Sequence, residues 1–263
     1  MTADFTTVTE LPNSMASREQ LARLYQRYWL ARQRAAGKRV LEVACGAGLG
    51  LGYLADGAQQ LAGGDCTLPL LAAAQSHYQG RVPLLGLDAQ RLPFADGAFD
   101  LVIVFEAIYY FPDVERFIHE TRRVLSAGGS LLIGSVNREW PDFAPSPFSH
   151  HYYSLTELHA LLSQHGFTQV ESWVAFPAQP TSLLHRALSL ARRVAITLHL
   201  MPRTLTGRAR LKRLVYGRLL PVPAEVTEEM TSLFPGEWLR LEPAVPGRPN
   251  TRYKIFYCVA RRS

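Results

Sequence analysis

The stretch VLEVACGAGLG, residues 40–50, carries the reading on which the fold turns. Val40, Leu41 and Val43 form a short apolar run with one acid, Glu42, inside it, and the run passes directly into glycines at 46, 48 and 50. A strand apolar on both faces has to be covered on both faces, which is the condition of a strand in a parallel sheet. Glycines just after such a strand permit a sharp turn and let a ligand lie against backbone, while the N-terminus of the next helix offers free N–H groups to an anion. Taken alone, the same glycines also suit a tight strand-to-helix connection that binds nothing.

Outward from this stretch, short apolar runs alternate with helical patterns. Strands are expected at 39–43, 60–64, 82–87, 101–105, 130–135, 168–174 and 253–260, and the run LVIVF at 101–105 is apolar at every position. Before them, Ser17 and Gln20 read as a capping box. Leu21, Leu24, Tyr25 and Tyr28 follow at the spacing of one buried helix face, and Gly37 is placed to end that helix. Further helices are expected at 113–125 and at 154–165, the latter closed by Gly166. Strands alternating with helices predict an α/β fold: a doubly wound, seven-stranded, mostly parallel, Rossmann-like sheet in a single domain, 1–263. Residues 178–250 fall between the last two strands as a helical, basic insertion or lid. Leu184, Ala187, Leu188, Ala191, Val194, Ala195 and Leu198 predict an amphipathic helix within it.

The charge is local. Between Ser172 and Ala224 there are nine bases and no acid, so although the chain carries +6, the rest of it holds three more acids than bases. That distribution argues against a general nucleic-acid surface, and no stacking pattern of aromatic and basic residues accompanies it. No run reaches the roughly 18–20 apolar residues of a membrane span, and the N-terminus lacks a basic-then-apolar leader, so a cytoplasmic protein is expected. Cys45, Cys66 and Cys258 are odd in number and far apart, which suggests neither a disulfide framework nor a metal knuckle.

Two acids fall where a nucleoside needs them. Asp65 stands at the end of the second strand, where a carboxylate accepts from ribose hydroxyls, and Asp88 with Ala89 ends the third, where one accepts from an adenine amino group. A lone Asp after a strand is also a common turn former or cap. Two behind a glycine turn strengthen the ligand reading.

Together these pieces resemble the class I SAM-dependent methyltransferases (SAM, S-adenosylmethionine), specifically the group with the ubiquinone/menaquinone and many small-molecule methyltransferases. The resemblance runs over residues 27–174. It rests on VLEVACGAGLG, on GGD ending at Asp65, on LDAQRLPFADGAFDLVIVFEAI at 87–108 and on RRVLSAGGSLLIGS at 122–135. It implies SAM as cofactor and S-adenosylhomocysteine as product. It implies that Glu42 meets the methionyl amino group and that Ala44, Gly46, Ala47 and Gly48 line the methionine. Asp65 with Cys66 would meet the ribose, Asp88 and Ala89 the adenine, and Phe105 the methionyl end. In similar sequences a Tyr at the position of Tyr28 reaches the SAM carboxylate; a core aromatic is the other reading. A NAD-dependent oxidoreductase shares the fold, but its fingerprint wants Gly or Ala where Leu51 stands. A SAM-binding protein without transferase activity is the further alternative.

Methyl transfer from a sulfonium mainly requires alignment, and a base only if the acceptor still holds its proton. Candidates are Tyr110 after the fourth strand and His150 and His151 after the fifth. Many relatives carry His where this chain has Tyr110, and a phenol is a weak base at neutral pH. The histidines titrate in the useful range, yet they also suit a surface loop. The stretch SVNREWPDFAPSPFSHHYYS, 135–154, resembles a loop of polysaccharide and glycolipid methyltransferases, which implies O- or N-methylation of a small-molecule or glycan-like acceptor. The basic insertion admits three readings. It is a lid whose arginines meet an anionic acceptor, an amphipathic face at 183–218 lying on an anionic membrane, or a subdomain with solvated arginines.

Overall fold

The computed structural model describes residues 4–178, 219–233 and 236–263. Eight strands form one sheet in the order β4-β3-β2-β5-β6-β10-β7-β9. They are β2 (Arg39–Val43), β3 (Gln60–Asp65), β4 (Leu84–Gly86), β5 (Phe99–Phe105), β6 (Leu125–Val136), β7 (Phe167–Pro177), β9 (Glu242–Pro243) and β10 (Tyr253–Arg262). From β4 to β6 every pairing is parallel; β10 runs antiparallel to both its neighbours. A separate two-stranded pair joins β1 (Met15–Ala16) to β8 (Leu220–Pro221).

Both faces of the sheet are covered, as the apolar strands require. On one face Val40, Leu101, Ile103 and Phe105 pack with Leu24 and Tyr25 of α1 (Arg18–Ala35), Leu54 of α2 (Leu51–Ala55) and Ala74 of α3 (Leu68–Tyr78). On the other, Leu41, Val43, Val102 and Val104 pack with Phe117 and Ile118 of α4 (Val114–Val124) and Leu158 and Leu162 of α5 (Leu155–Gln164). The alternation of β5 residues between the two clusters follows from the period of a strand. The capping box is present at α1: Gln20 N–H donates to Ser17 Oγ at 3.2 Å and Ser17 N–H to Gln20 Oε1 at 2.9 Å. A second box, Ser154 with Glu157, opens α5.

Boundaries moved for local reasons. The third expected strand shrinks to Leu84–Gly86, an edge strand preceded by Pro83, which has no N–H to give to a ladder. The fifth grows to Leu125–Val136, because Leu125 pairs with Phe99 across an irregularity in register beside Gly128, whose φ is +73°. Among the described residues the sheet has eight strands, one more than expected: β9 pairs with Trp173 and Val174 of β7.

The amphipathic helix expected at 184–198 lies outside the described residues. The described part of 178–250 is not a run of α-helix. It contains β8, two 3₁₀ segments (Glu228–Leu233 and Gly236–Leu239) and β9. Val222, Val226 and Met230 are buried in the first core cluster, so this part packs into the domain. Among the described residues, no helix is long and apolar enough to cross a membrane.

Candidate functional site

In the sheet order, β2 and β5 are neighbours, with β3 beside β2 and β6 beside β5, so the chain reverses its progression between the two central strands. Ligands of open α/β sheets bind outside the carboxyl ends of the strands at such a point. A cavity of about 850 Å³ opens there. Both central strands leave the sheet through a left-handed non-glycine residue, Ala44 (φ 59°) after β2 and Glu106 (φ 51°) after β5. Such conformations cost on the order of 1–3 kcal/mol each. They are held by backbone bonds across the sheet, Cys45 N–H to the Gly64 carbonyl at 3.0 Å and Glu106 N–H to the Gly134 carbonyl at 2.8 Å.

Glu42 is buried at the cavity wall. The Tyr28 hydroxyl donates to its Oε1 at 2.6 Å, and its Oε2 has no partner. Burial pushes the carboxyl up to about 7; the Tyr28 bond and the Arg27 charge pull the other way. Arg27 lines the same cavity, ion-paired to Glu10 at 2.6 Å, and its Nε is also buried without a partner. The cavity-lining residues therefore include an unused acceptor, Glu42 Oε2, and two unused donors, the Nε atoms of Arg27 and Arg23.

Asp65 holds two backbone groups. Gly46 N–H donates to Oδ2 at 2.9 Å and Thr67 N–H to Oδ1 at 2.7 Å. A carboxylate has about four lone-pair sites, so it keeps capacity for hydroxyl donors. Asp88 is exposed, with Oδ1 accepting from Gln90 N–H at 2.9 Å.

The structure brings Tyr28, Glu42, Ala44, Gly46, Ala47, Asp65, Cys66, Asp88, Ala89 and Phe105 to this cavity. Gly48 lies elsewhere. Its φ is +74°, a Cβ there would come within 3.0–3.2 Å of Leu51, Ala74 and Tyr78, and its carbonyl accepts from the Tyr78 hydroxyl at 2.7 Å. Gly48 thus packs the turn on α3 instead of facing the cavity. Tyr28 lines the site with its hydroxyl donating a hydrogen bond to the protein's own acid, Glu42. Its ring fills the space over Gly50, where a Cβ would stand 2.1 Å from ring carbons.

On the opposite side the wall is aromatic: Phe5, Tyr109, Tyr110, Phe111 and Phe148. Tyr110 bonds Ser146 Oγ at 2.6 Å, and burial holds its phenol up, which makes it a poor base. His150 lines the cavity and donates its backbone N–H to the Tyr109 carbonyl at 2.8 Å. His151 does not line it. Its side chain is half exposed, 3.8 Å from Glu157, with its ring against Tyr153. His151 is therefore corrected to a position outside the cavity, beside the start of α5. Burial keeps the thiols of Cys45 and Cys66 above their ordinary range, so both are neutral wall groups.

Sequence reasoning missed Glu106, Arg27, Glu10 and Thr9, all at the cavity. Glu106 was within reach of the rule that picked Asp65 and Asp88, an acid at the carboxyl end of a strand. The segment 5–10 gave no local signal, yet a Cβ on Gly46 would stand 2.9 Å from Thr9 Cγ2, so this segment covers the glycine turn.

A family profile described as a methyltransferase domain matches residues 41–133, the segment that supplies the ends of β2, β3, β4 and β5. Over that segment the chain is similar to the class I SAM-dependent methyltransferases. A probable S-adenosylmethionine-dependent methyltransferase of Mycolicibacterium smegmatis is 32% identical over 157 residues, which is 54% of this chain and 60% of the relative. The phthiotriol/phenolphthiotriol dimycocerosates methyltransferase 1 of Mycobacterium ulcerans is 41% identical over 124 residues, 43% of this chain and 45% of the relative. The chain thus spans at most about three fifths of the length of these curated relatives. Among solved structures, the YcgJ protein from Bacillus subtilis superimposes with a TM-score of 0.56 at 20% identity, covering 90% of this chain and 97% of that one, and it shares the fold.

The residues of the methyltransferase domain fit SAM. The orphaned Glu42 Oε2 matches an ammonium group, the orphaned Arg27 Nε a carboxylate, and the spare lone pairs of Asp65 a pair of hydroxyls. Carboxylates outnumber guanidiniums around the cavity, with Glu10, Glu42, Asp65, Asp88 and Glu106 against Arg23 and Arg27, a balance that suits a sulfonium cation.

Proposed function

We propose that this chain is an enzyme that uses SAM to methylate an oxygen or nitrogen of a small-molecule or glycan-like acceptor, within a single domain, releasing S-adenosylhomocysteine. The observation that carries this reading is a pair of buried, unpartnered atoms among the cavity-lining residues, Glu42 Oε2 and Arg27 Nε. Buried polar atoms without partners are costly, and this pair has the polarity of an amino acid's two charged ends. When bound, SAM supplies a methyl group on a positively charged sulfur, an electrophile that needs no further activation. The chain's own residues hold and align: Glu42 and Arg27 the amino-acid end, Asp65 the ribose, Asp88 and Ala89 the base.

The acceptor would lie against Tyr109, Tyr110, Phe111 and Phe148, flat surfaces suited to an apolar body or the C–H face of a sugar. Among the described residues, Arg23 and Arg27 are the guanidiniums at the cavity, and both are ion-paired, to Glu19 and Glu10. That favours an uncharged acceptor over an anionic one. A relative named for phthiotriol and phenolphthiotriol dimycocerosates is in keeping with an apolar alcohol or phenol. The membrane face at 183–218 and the arginines on which the lid reading rests lie outside the described residues.

Calorimetric titration with SAM, S-adenosylhomocysteine and NAD tests the cofactor. Binding of the first two is expected, and binding of NAD alone would end the reading. Incubation with methyl-labelled SAM and a cell extract then separates enzyme from inert binder: label is expected in a small-molecule fraction, and tight SAM binding with no label transferred would favour the binder.

A further inference from the structure

The methyl-donor site as described leaves one cavity carboxylate unused. Glu106 follows β5 directly and lines the cavity between Phe105 and the aromatic wall. Its left-handed backbone and the bond from its N–H to the Gly134 carbonyl fix the direction in which the side chain departs. Tyr109 donates its hydroxyl to Oε2 at 3.2 Å; Oε1 has no hydrogen-bond partner among the described residues. Neither nearby guanidinium pairs with it, since Arg27 is bonded to Glu10 and Arg23 to Glu19. Burial is the largest influence on the carboxyl and pushes it up, with Arg27 and Arg23 opposing. Its charge also helps hold up the phenols of Tyr109, Tyr110 and Tyr152, which places it in electrical contact with the whole aromatic side.

Of the other candidates for proton removal, His150 lines the cavity but only its backbone is tied there, no hydrogen bond holding its ring among the described residues, and the remaining two are weaker. His151 is outside the cavity, and the phenol of Tyr110 is held up by burial. A carboxyl raised from its ordinary range by burial is better matched to neutral pH than one in water. Tyr109 positions it by donating to one oxygen and leaving the other free.

We propose that Glu106 is the proton acceptor for the methylated group, and that this group is an uncharged hydroxyl or a protonated amine. The reading rests on the SAM-dependent activity proposed above. In the step, a protonated amine first gives its proton to the carboxylate and so frees its electron pair, whereas a hydroxyl loses its proton as it attacks; the oxygen or nitrogen forms a bond to the methyl carbon, and the carbon–sulfur bond breaks with its electron pair left on sulfur. The acceptor's proton passes to Glu106, leaving a neutral carboxyl, a neutral thioether and a methylated product. An anionic group at the same place would face the carboxylate and be repelled.

The test needs no acceptor. Sinefungin is an analogue of S-adenosylhomocysteine in which an amine-bearing carbon replaces sulfur, so its ammonium stands where the methyl would be. Calorimetry on the full chain should show sinefungin bound about tenfold more tightly than S-adenosylhomocysteine, the size of one charge-assisted hydrogen bond. Glu106→Gln should abolish that preference while S-adenosylhomocysteine affinity stays within about twofold. A glutamine variant that keeps the preference, or a wild-type chain that shows none, overturns the proposal. If Glu106→Gln fails to fold, Glu106→Asp takes its place: the preference should shrink as the charge withdraws by one methylene, and an unchanged preference overturns the assignment. A wild-type chain that binds neither ligand refutes the SAM reading itself, a result distinct from binding without preference.

Discussion

On the side of the cavity made by β2, β3 and the turn after β4, the two aspartates are fixed by backbone, Asp65 by two N–H groups and Asp88 by the Gln90 N–H, the turn after β2 is tied by Cys45 N–H to the Gly64 carbonyl, and Glu42 alone is held by a side chain, Tyr28. On the side made by residues 105–152, the wall consists of aromatic side chains that hold one another. Tyr109 stacks on Tyr152 with centroids 4.1 Å apart, Phe5 leans on Tyr110 at 5.0 Å, and Phe143 meets Tyr152 edge-on. Backbone-fixed groups suit a ligand that never changes, whereas contacts between side chains can be exchanged singly without disturbing the sheet. The first side therefore reads as a common cofactor site and the second as the part that adapts to an acceptor.

The largest expected effect is on the first side. Asp65→Ala leaves the Gly46 and Thr67 N–H groups without acceptors, so stability should fall by about 3 kcal/mol or more, two charge-assisted bonds being lost. S-adenosylhomocysteine affinity should fall at least about tenfold with it. Denaturant unfolding and calorimetry check both, and a variant that loses neither would show that the backbone turn holds itself.

Glu42 gives the next effect, with opposite signs on stability and binding. In the free protein its carboxyl stays protonated up to about 7, whereas the unfolded chain releases the proton near the ordinary value of 4.5. The stability it contributes is thus complete below about 4.5 and lost as pH rises through about 7, a difference on the order of 3 kcal/mol. Glu42→Gln should flatten that decline, unfold at higher temperature than wild type at pH 8, and bind S-adenosylhomocysteine about tenfold more weakly. Wild-type affinity should also rise with pH between 6 and 8, because the ammonium needs the ionised form. A pH-independent affinity would detach Glu42 from the amino-acid end.

Across the cavity the expected change is smaller. Tyr110→Phe keeps the ring against Phe5 and removes the bond to Ser146, so stability should drop by about 1 kcal/mol with cofactor affinity unchanged. A change in S-adenosylhomocysteine affinity as large as that of Glu42→Gln would break the division between the two sides.

The same division governs what could be read from the sequence. The strand 39–43, the glycine turn, Asp65 and Asp88 are each local signals, because the chemistry needs a residue type at a strand end and strand ends are visible in a sequence. What covers those strand ends, and what builds the aromatic wall, depends on contacts distant along the chain: Thr9 over Gly46, Glu10 on Arg27, Val226 N–H on the Leu49 carbonyl, Phe5 on Tyr110. No periodicity announces such pairs. Gly48 shows the converse error, since a glycine can be required by a neighbouring helix as well as by a ligand, and only the position of Tyr78 tells which.

The adjacent histidines supply the smallest and sharpest comparison. His150 lines the cavity and its backbone is tied to Tyr109, whereas His151 is half exposed beside Glu157. An exposed histidine 3.8 Å from a carboxylate makes a weak, screened pairing. His151→Ala should therefore leave stability within about 0.5 kcal/mol of wild type and S-adenosylhomocysteine affinity unchanged. His150→Ala removes wall surface from the acceptor side, and should leave S-adenosylhomocysteine affinity alike while slowing methyl transfer to any acceptor found in extract. If His151→Ala slowed transfer and His150→Ala did not, the loop 135–154 would have to turn its other face to the acceptor, and the aromatic side would be a movable wall instead of a fixed one.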